Sequence, residues 1–468
     1  MLRIFRHYLP IPTLVLGFTE TVLVALAFYS AAPLVRAQYQ FQNWDVAAAL
    51  ALVIALVAIV AMMSVGLYNS DVFLDHRLMA VRTLLALALV VPATLLTVLL
   101  LRHFVDIGPD ISAMWYLRAT SIWLICVIIT RTAFLKISSL EIFKTPIVVL
   151  GSGSRAKSIK VMAESARTLR FVPVAFVNAC SDPRHVDCLD VSFDGNGDAE
   201  SLAKLVRKLR AQEIVLATDD RRGLPVHQLL ECKLAGIRIV DYLDFCERET
   251  GRVDLDALRP SWFIFSDGFR TGPVTDFTKR SFDCAVSVVM LILVLPILLL
   301  TALAIKLESN GPILYRQERV GLRGRQFVLL KFRSMRVDAE RDGMPQWARK
   351  RDPRVTRVGA WIRLLRIDEL PQLVNVLRGD MSFVGPRPER PLFVEQIARE
   401  VPFYLERHSV KPGVTGWAQI NYPYGASIED ARQKLSYDLY YLKNRGVFLD
   451  LVVLTQTVRV ILWPTGAR

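Results

Sequence analysis

The sequence predicts a membrane protein in three parts: an α-helical bundle, then an α/β domain, then a membrane-associated α+β domain with a re-entrant helix. Apolar runs open the chain, each near the ~20 residues needed to cross a bilayer. Short apolar strands and helical segments then alternate, which is typical of a parallel sheet. A further apolar run, interrupted by a proline, precedes a strongly basic region.

The first part, residues 1–140, is predicted to be a four-helix transmembrane domain. Basic residues cluster before the first apolar run, between the second and third, and after the fourth. This positive-inside bias places the N-terminus and everything after residue 136 in the cytoplasm. No small-residue cleavage site closes the first run, which favours a retained helix. The apolar runs cover 11–35, 46–68, 81–101 and 114–135.

The composition indicates anionic partners at a membrane. The 468 residues are 53% hydrophobic, yet the net charge is +14, a combination that favours lipid headgroups or phosphorylated ligands. We expect no nucleic acid, because no binding motif accompanies the charge. The six cysteines lack metal-type spacing, which predicts reduced thiols in the cytosol.

Residues 141–270 are predicted to form a Rossmann-like α/β domain. In "GSGSRA", Gly151 to Ala156 match G-x-G-x-x-A between a strand and a helix, where glycines let a phosphate approach the helix N-terminus. Asn178 stands near the position where a dinucleotide site has an acid for the ribose. Both a bound dinucleotide and a structural or regulatory nucleotide-like fold are compatible with this pattern.

The third part, residues 271–468, begins with a membrane helix predicted at about 281–306. It has no charge between Asp283 and Lys306, and Pro296 lies at its midpoint, where a missing backbone N–H bends a helix. A straight span would send the basic C-terminal region outward, whereas a helix broken at Pro296 keeps both ends in the cytoplasm. The charge bias favours the re-entrant form.

Two cations in "KFRSM" are candidate phosphate ligands. Lys331 and Arg333 flank Phe332, so on a strand both would face the same side and could clamp a phosphate. A solvated or headgroup-binding face is the alternative.

The acidic pair in "RIDELPQL" is the strongest candidate for chemistry. One interpretation is structural: a helix begins at Glu369 with Asp368 as its N-cap and ends at Gly379. The other follows from the neighbours, since Arg366 precedes the pair and a rigid "GPRP" carrying Arg387 follows it. Cations converging on two carboxylates suit a phosphorylated substrate, with a divalent metal held by an acid.

Together, "GPILYRQERVG", "KFRSM", "RIDELPQLVNVLRGDMSFVGPRP" and "KPGVTGWAQIN" resemble the bacterial sugar transferase family over about residues 275–468. Its members are polyprenyl-phosphate sugar-1-phosphate transferases, and the preceding regions resemble its large monotopic-type phosphoglycosyl transferases of exopolysaccharide biosynthesis. The resemblance implies that residues 271–468 form the catalytic domain. It also implies transfer of sugar-1-phosphate from a UDP-sugar, UDP-glucose or UDP-galactose, to undecaprenyl phosphate, with release of UMP.

The resemblance also assigns roles to residues. It implies that Asp368 is a nucleophile that forms a covalent aspartyl-phosphosugar, and that Glu369 holds Mg²⁺ or assists proton transfer. Pro296 keeps the bend of the membrane helix, although Leu295 stands where the family often has serine. The expected substrate-binding residues are Lys331, Arg333, Arg366, Asp380, Arg387 and Gln419.

Further expectations follow from the same resemblance: a homodimer in the bacterial inner membrane, with the α/β and catalytic domains on its cytoplasmic side. The alternative enzyme is a membrane-bound NAD-dependent epimerase or dehydratase of NDP-sugars. That reading needs a Tyr-x-x-x-Lys pair, which the α/β region lacks. A non-enzymatic scaffold leaves the acidic pair without a purpose.

Overall fold

A computed structural model divides the chain into two compact units, one comprising Met1–Leu2 and Tyr8–Thr250, the other Arg3–His7 and Gly251–Arg468. Each unit is described by itself. The structure describes residues 2–4, 7–9, 11–36, 44–68, 76–104, 113–138, 144–164, 171–178, 185–187, 189–190, 201–222, 224–269, 272–336, 354–423, 425 and 427–462.

Four apolar helices lie near the N-terminus, which confirms the predicted bundle. The first, third and fourth are long and apolar enough to cross a membrane, and the described apolar segment of the second, Ala48–Ser64, is shorter. Two short strands precede them, β1 (Leu2–Ile4) and β2 (His7–Leu9). The helices are α1 (Ile11–Arg36), α2 (Trp44–Ser64), α3 (His76–Phe104) and α4 (Ala113–Ser138).

A buried ion pair joins α1 to α4. Arg131 Nη2 lies 2.9 Å from Glu20 Oε2, and both side chains are almost fully buried. Arg131 also donates to the Leu67 carbonyl (3.1 Å), and the Tyr68 hydroxyl donates to Glu20. A charge within an apolar bundle is costly unless it is paired, so this contact fixes the register of the two helices.

The rest of the first unit is a five-stranded parallel sheet flanked by helices, in the order β5-β4-β3-β6-β7. Val148, Val177 and Ile214 from three of its strands are fully buried. The mixed α/β content matches the prediction. The elements are β3 (Thr145–Leu150), α5 (Ser154–Glu164), β4 (Phe171–Asn178), β5 (Leu189–Asp190), α6 (Leu202–Lys208), β6 (Glu213–Leu216), α7 (Val226–Leu234), β7 (Arg238–Asp241) and α8 (Tyr242–Thr250).

A carboxylate of the chain itself occupies the glycine turn between β3 and α5. Asp219 accepts hydrogen bonds from the Ser154 amide (2.8 Å), the Ser154 hydroxyl (3.0 Å) and the Arg155 amide (3.3 Å). A Cβ at Gly153 would collide with Asp219, so glycine there makes room for this acid. Because the N-terminus of a helix is where a dinucleotide places its pyrophosphate, this arrangement favours a structural turn.

The second unit is mixed α and β. β8 and β9 form an antiparallel hairpin, and β10 pairs with β11 in parallel. Its elements are α9 (Pro260–Phe265), α10 (Pro273–Glu308), β8 (Leu314–Val320), β9 (Gln326–Phe332), α11 (Arg357–Leu364), α12 (Gln372–Arg378), β10 (Ser382–Val384), α13 (Pro391–Glu400), β11 (Gly413–Thr415), α14 (Trp417–Asn421), α15 (Ile428–Asn444) and α16 (Val447–Leu462).

The long helix α10 is anchored to the second unit at both ends. Near its start, Asp283 accepts hydrogen bonds from the Ser382 hydroxyl (2.8 Å) and the Phe383 amide (3.1 Å). Near its end, Ile305 is buried against β9 and α11. The apolar residues around Pro296 are mostly exposed, and the helix is apolar enough to cross a membrane.

Candidate active site

The site is built where α12 docks on β9. The buried Asn375 accepts a hydrogen bond from the Leu330 amide (3.0 Å) and donates to the Val328 carbonyl (2.8 Å). One amide side chain thereby completes the hydrogen bonding of the strand edge. In the last turn of α12, Arg280 donates to the carbonyls of Val376 (2.5 Å) and Leu377 (2.7 Å). These contacts hold the segment before α12 against Lys331, one residue beyond Leu330.

The acidic pair lies in a 3₁₀ turn, Ile367–Glu369, which differs from the predicted helix start. Arg366 adopts a left-handed conformation (φ 59°), which ends α11 and turns the chain. α12 begins only at Gln372, so Asp368 is not its N-cap, although the helix ends at Arg378 and is capped by Gly379, where its end was predicted. The prediction failed because local spacing cannot reveal a left-handed residue at a non-glycine position.

Glu369 is held by three cations. Its Oε1 accepts from Arg387 Nη2 (2.8 Å) and Lys331 Nζ (3.1 Å), and Arg366 Nη1 lies 4.0 Å away. Burial acts to raise the pKa of Glu369, but Arg387 and Lys331 outweigh it and hold that pKa well below its usual range. Glu369 is therefore a fixed negative charge at neutral pH.

Asp368 is in a different state from its neighbour. Its Oδ1 is buried and has no hydrogen-bond partner within the described part of the chain. Burial, and after it the Glu369 carboxylate, raise the pKa of Asp368. A carboxylate oxygen without a partner is available to attack, and a raised pKa makes it a better nucleophile than an ion-paired acid.

The other predicted substrate-binding residues divide between this cluster and other sites. Lys331, Arg366 and Arg387 converge on Glu369. Arg333 instead donates to the Ser309 and Asn310 carbonyls (2.9 and 3.0 Å) and the Ser309 hydroxyl (2.9 Å), at the C-terminal end of α10. The strand ends at Phe332, so side-chain alternation no longer carries Arg333 to the face of Lys331.

Asp380 and Gln419 make their described hydrogen bonds elsewhere. Asp380 accepts from Asn375 (3.2 Å), beyond the end of α12 opposite to the acidic pair. Gln419 of α14 donates weakly to the Val414 carbonyl of β11 (3.5 Å), and its Oε1 is buried without a partner among the described residues. Pro296 lies within α10, as expected.

Arg407 and Asp438, which the sequence analysis did not pair, form a buried ion pair that also contacts the backbone of Arg387. Arg407 donates through Nε (3.0 Å) and Nη2 (2.8 Å) to Asp438 Oδ2, and both side chains are buried. Arg407 Nη2 also donates to the Arg387 carbonyl (2.9 Å). The signal was available on α15, where apolar residues surround Asp438, because an acid at such a position needs a partner.

The carboxylate oxygens of the acidic pair are of the ligand type that binds a divalent cation. Mg²⁺ is usually held by one or two carboxylates together with substrate phosphates, and Asp368 offers a buried oxygen without a hydrogen-bond partner among the described residues. Across the described residues, no group of three or more His, Cys, Asp or Glu forms a metal cage. An ion here would thus depend on substrate oxygens.

Comparison with known proteins places this geometry in context. A family model described as bacterial sugar transferase matches residues 274–464. The chain is 45% identical over 253 residues to a UDP-N-acetylgalactosamine-undecaprenyl-phosphate N-acetylgalactosaminephosphotransferase of Aeromonas hydrophila, covering 54% of this chain and 59% of that protein. It is 33% identical over 305 residues to a UDP-glucose:undecaprenyl-phosphate glucose-1-phosphate transferase of Escherichia coli (strain K12), covering 64% of each.

A shorter relative is matched over most of its length. A UDP-glucose:undecaprenyl-phosphate glucose-1-phosphate transferase of Caulobacter vibrioides is 43% identical over 194 residues, which are 41% of this chain and 72% of that protein. The first relatives above are matched over less than two thirds of their own length. The family match lies within the unit that contains the acidic pair. On this evidence the chain belongs to the bacterial sugar transferase family.

Proposed function

We propose that this protein transfers sugar-1-phosphate from a UDP-sugar to undecaprenyl phosphate, forming undecaprenyl-diphosphate-sugar and UMP. The observation that carries the proposal is that the two acids differ in their contacts. Glu369 is ion-paired with Lys331 and Arg387, while Asp368 has a buried oxygen without a hydrogen-bond partner among the described residues. Relatives named for this reaction support the substrate class. Such a transfer would be the first membrane step of exopolysaccharide assembly.

Two displacements at phosphorus account for the reaction. Asp368 attacks the β-phosphorus of the donor, the bond to the bridging oxygen breaks, and UMP leaves with that electron pair. The aspartyl-phosphosugar is then attacked by an oxygen of undecaprenyl phosphate, which restores the carboxylate. A covalent intermediate divides one difficult step into two. Lys331 and Arg387, 3.1 and 2.8 Å from Glu369, can offset charge on the phosphoryl oxygens.

Magnesium is part of the proposal. Glu369 would hold the ion together with oxygens of the diphosphate. The ion would then neutralise negative charge on the diphosphate. Glu369 itself keeps Lys331 and Arg387 in place beside Asp368. A proton-transfer role for Glu369 is less favoured, because Arg387 and Lys331 hold its pKa well below the usual range.

The donor sugar is proposed to be glucose or galactose. Relatives named for glucose and for N-acetylgalactosamine both match the chain, with 33% and 45% identity. A donor panel of UDP-glucose, UDP-galactose and UDP-N-acetylgalactosamine therefore tests this choice directly.

The contacts of α10 support a re-entrant helix with both ends on the cytoplasmic side. Arg280 contacts α12, Ile305 packs on Phe332 of β9, and Asn375 joins α12 to that strand. A straight helix would separate residues 280 and 305 by about 37 Å, but these contacts converge on one short strand. A bend at Pro296 reconciles them.

Site-directed labelling tests this topology. In a variant without reactive native cysteines, Thr275→Cys and Arg325→Cys should react with an impermeant reagent from the same, cytoplasmic side. Labelling of the two positions from opposite sides contradicts the re-entrant helix.

The α/β part of the first unit is proposed to be a Rossmann-like scaffold. Its strand order supports this, because β3 is central and later strands are added first on one side of it and then on the other, as in doubly wound nucleotide-binding folds. The Asp219 carboxylate in the glycine turn counts against the NAD-dependent alternative. A homodimer is also proposed; mass measurement in lipid nanodiscs would test it.

One assay tests the proposed function. Purified protein is incubated with radiolabelled UDP-sugar, Mg²⁺ and undecaprenyl phosphate, and labelled lipid is extracted. We expect labelled lipid from the wild type and none from Asp368→Asn. Equal product from the variant rules out Asp368 as the nucleophile, and no product with any UDP-sugar rules out the reaction.

A further inference from the structure

The backbone segment that carries Arg387, residues 386–389, is held at four successive carbonyl groups. Two of the donors are backbone amides of β8 and β11, and the other two are arginine side chains. The hydrogen bonds run from Gly413 to Pro386 (2.9 Å), from Arg407 to Arg387 (2.9 Å), from Arg319 to Pro388 (2.9 Å) and from Val320 to Glu389 (3.0 Å). Prolines on both sides of Arg387 also restrict the backbone dihedral angles. The position of the Arg387 backbone is therefore set by the fold.

Arg407, in the 3₁₀ segment Tyr404–Ser409, is buried and is oriented by Asp438. Its Nε (3.0 Å) and Nη2 (2.8 Å) donate to Asp438 Oδ2, and its Nη1 donates to the Tyr404 hydroxyl (3.2 Å). A buried ion pair contributes little net stability, because the cost of desolvation offsets the attraction. The pair is better explained by what it positions.

The shape of the guanidinium group explains why an arginine stands at this position. Its five N–H groups have fixed directions in one plane. With Nε and one hydrogen of Nη2 directed to Asp438, the other hydrogen of Nη2 is directed to the Arg387 carbonyl (2.9 Å). A lysine could keep the ion pair with Asp438, but its ammonium group would not hold both acceptors in this fixed geometry.

We propose that Arg407 is a positioning residue for the transfer: Asp438 orients its guanidinium group, which holds the backbone of Arg387 so that the Arg387 side chain meets the diphosphate of the donor. The proposal rests on the proposed function, since it assumes that Arg387 offsets charge on the phosphoryl oxygens. The Arg387 guanidinium lies 2.8 Å from Glu369, beside the acid that would attack. Because a misplacement of about 1 Å can cost about 10²-fold in rate, one hydrogen bond to this backbone can affect turnover.

A double-mutant cycle tests this role. Arg407→Lys keeps the charge but loses the fixed geometry, and Arg387→Met removes the guanidinium group that is positioned. We expect Arg407→Lys alone to lower kcat, per folded protein, by about tenfold, the scale of one lost hydrogen bond. In the Arg387→Met background it should lower kcat by less than about twofold, because nothing is left to position. Arg399→Lys, the same change at an exposed position of α13, should leave kcat unchanged.

Hydrogen exchange in the full-length protein examines the same segment without turnover. We expect the amides of residues 385–390 to exchange faster in Arg407→Lys than in the wild type, and at the wild-type rate in Arg399→Lys. If Arg407→Lys does not fold, Asp438→Asn replaces it in both measurements, because the amide keeps the size of the side chain and loses the ion pair.

Three results would overturn the proposal. An equal loss of kcat with and without the Arg387 guanidinium would show that Arg407 acts independently of it. An unchanged kcat in Arg407→Lys, or unchanged exchange of residues 385–390, would show that this hydrogen bond does not position Arg387. If no UDP-sugar turns over even in the wild type, the proposed function fails, while hydrogen exchange still decides whether Arg407 holds this segment.

Discussion

Lys331→Met and Arg333→Met should impair the protein in different ways, although the two cations are neighbours in one motif. Lys331 contacts Glu369, whereas Arg333 makes three hydrogen bonds of 2.9 to 3.0 Å at the end of α10. We expect Lys331→Met to lose activity with little change in stability. Arg333→Met should mainly lower the stability of the protein.

The expected loss of stability in Arg333→Met follows from these contacts. A hydrogen bond to a charged group contributes about 1.5–3 kcal/mol, and because three share one guanidinium, their joint loss should cost about 3–5 kcal/mol. For a domain of about 150–250 residues, each kcal/mol lowers Tm by about 2–4 °C, so Arg333→Met should lower it by about 6–20 °C. Lys331→Met should lower kcat by about 10²–10³, as for a lost donor to a charged transition state.

The assay combines thermal unfolding, followed by tryptophan fluorescence, with transfer activity measured below the lowest Tm. Arg325→Met, at an exposed position of the same hairpin, is the matched control and should change neither quantity. If Arg333→Met keeps its Tm and loses activity as Lys331→Met does, Arg333 acts on substrate and the assignment to α10 is wrong.

Two further predictions concern the acids. Burial, and after it Glu369, raise the pKa of Asp368. Because protonation removes the nucleophile as pH falls through that pKa, kcat should decline at a higher pH than it would with an aspartate of ordinary pKa. Glu369→Gln should move this decline to lower pH in a pH–rate profile; an upward move contradicts the electrostatics. Asp219→Ala should destabilise the α/β region by about 1 kcal/mol, as for a lost helix cap, without changing activity, and a strong loss of transfer would refute the scaffold role.

The sequence predicted which residues form the site better than it predicted the contacts that each residue makes. The motif around Asp368 and Glu369 and the cations Lys331 and Arg387 could be identified because their residue types limit the chemistry. The position of Arg333 could not, since it depends on where β9 ends.

Sequence patterns could not predict contacts between side chains that are far apart in the sequence. Glu20 lies within the first apolar run and Arg131 within the fourth, and their contact depends on how α1 packs against α4. Likewise, Asp219 reaches the glycine turn from 65 residues away. Periodicity describes one element at a time, so it predicts helices and strands but not which side chain completes another element.

The covalent intermediate is the most direct test of the account. Purified protein is given a UDP-sugar and Mg²⁺ without undecaprenyl phosphate, quenched, digested and examined by mass spectrometry. We expect a phosphosugar adduct on Asp368 with matching release of UMP, and its loss when undecaprenyl phosphate is added. An adduct on Glu369, or transfer that continues in Asp368→Asn with no adduct at all, would contradict it.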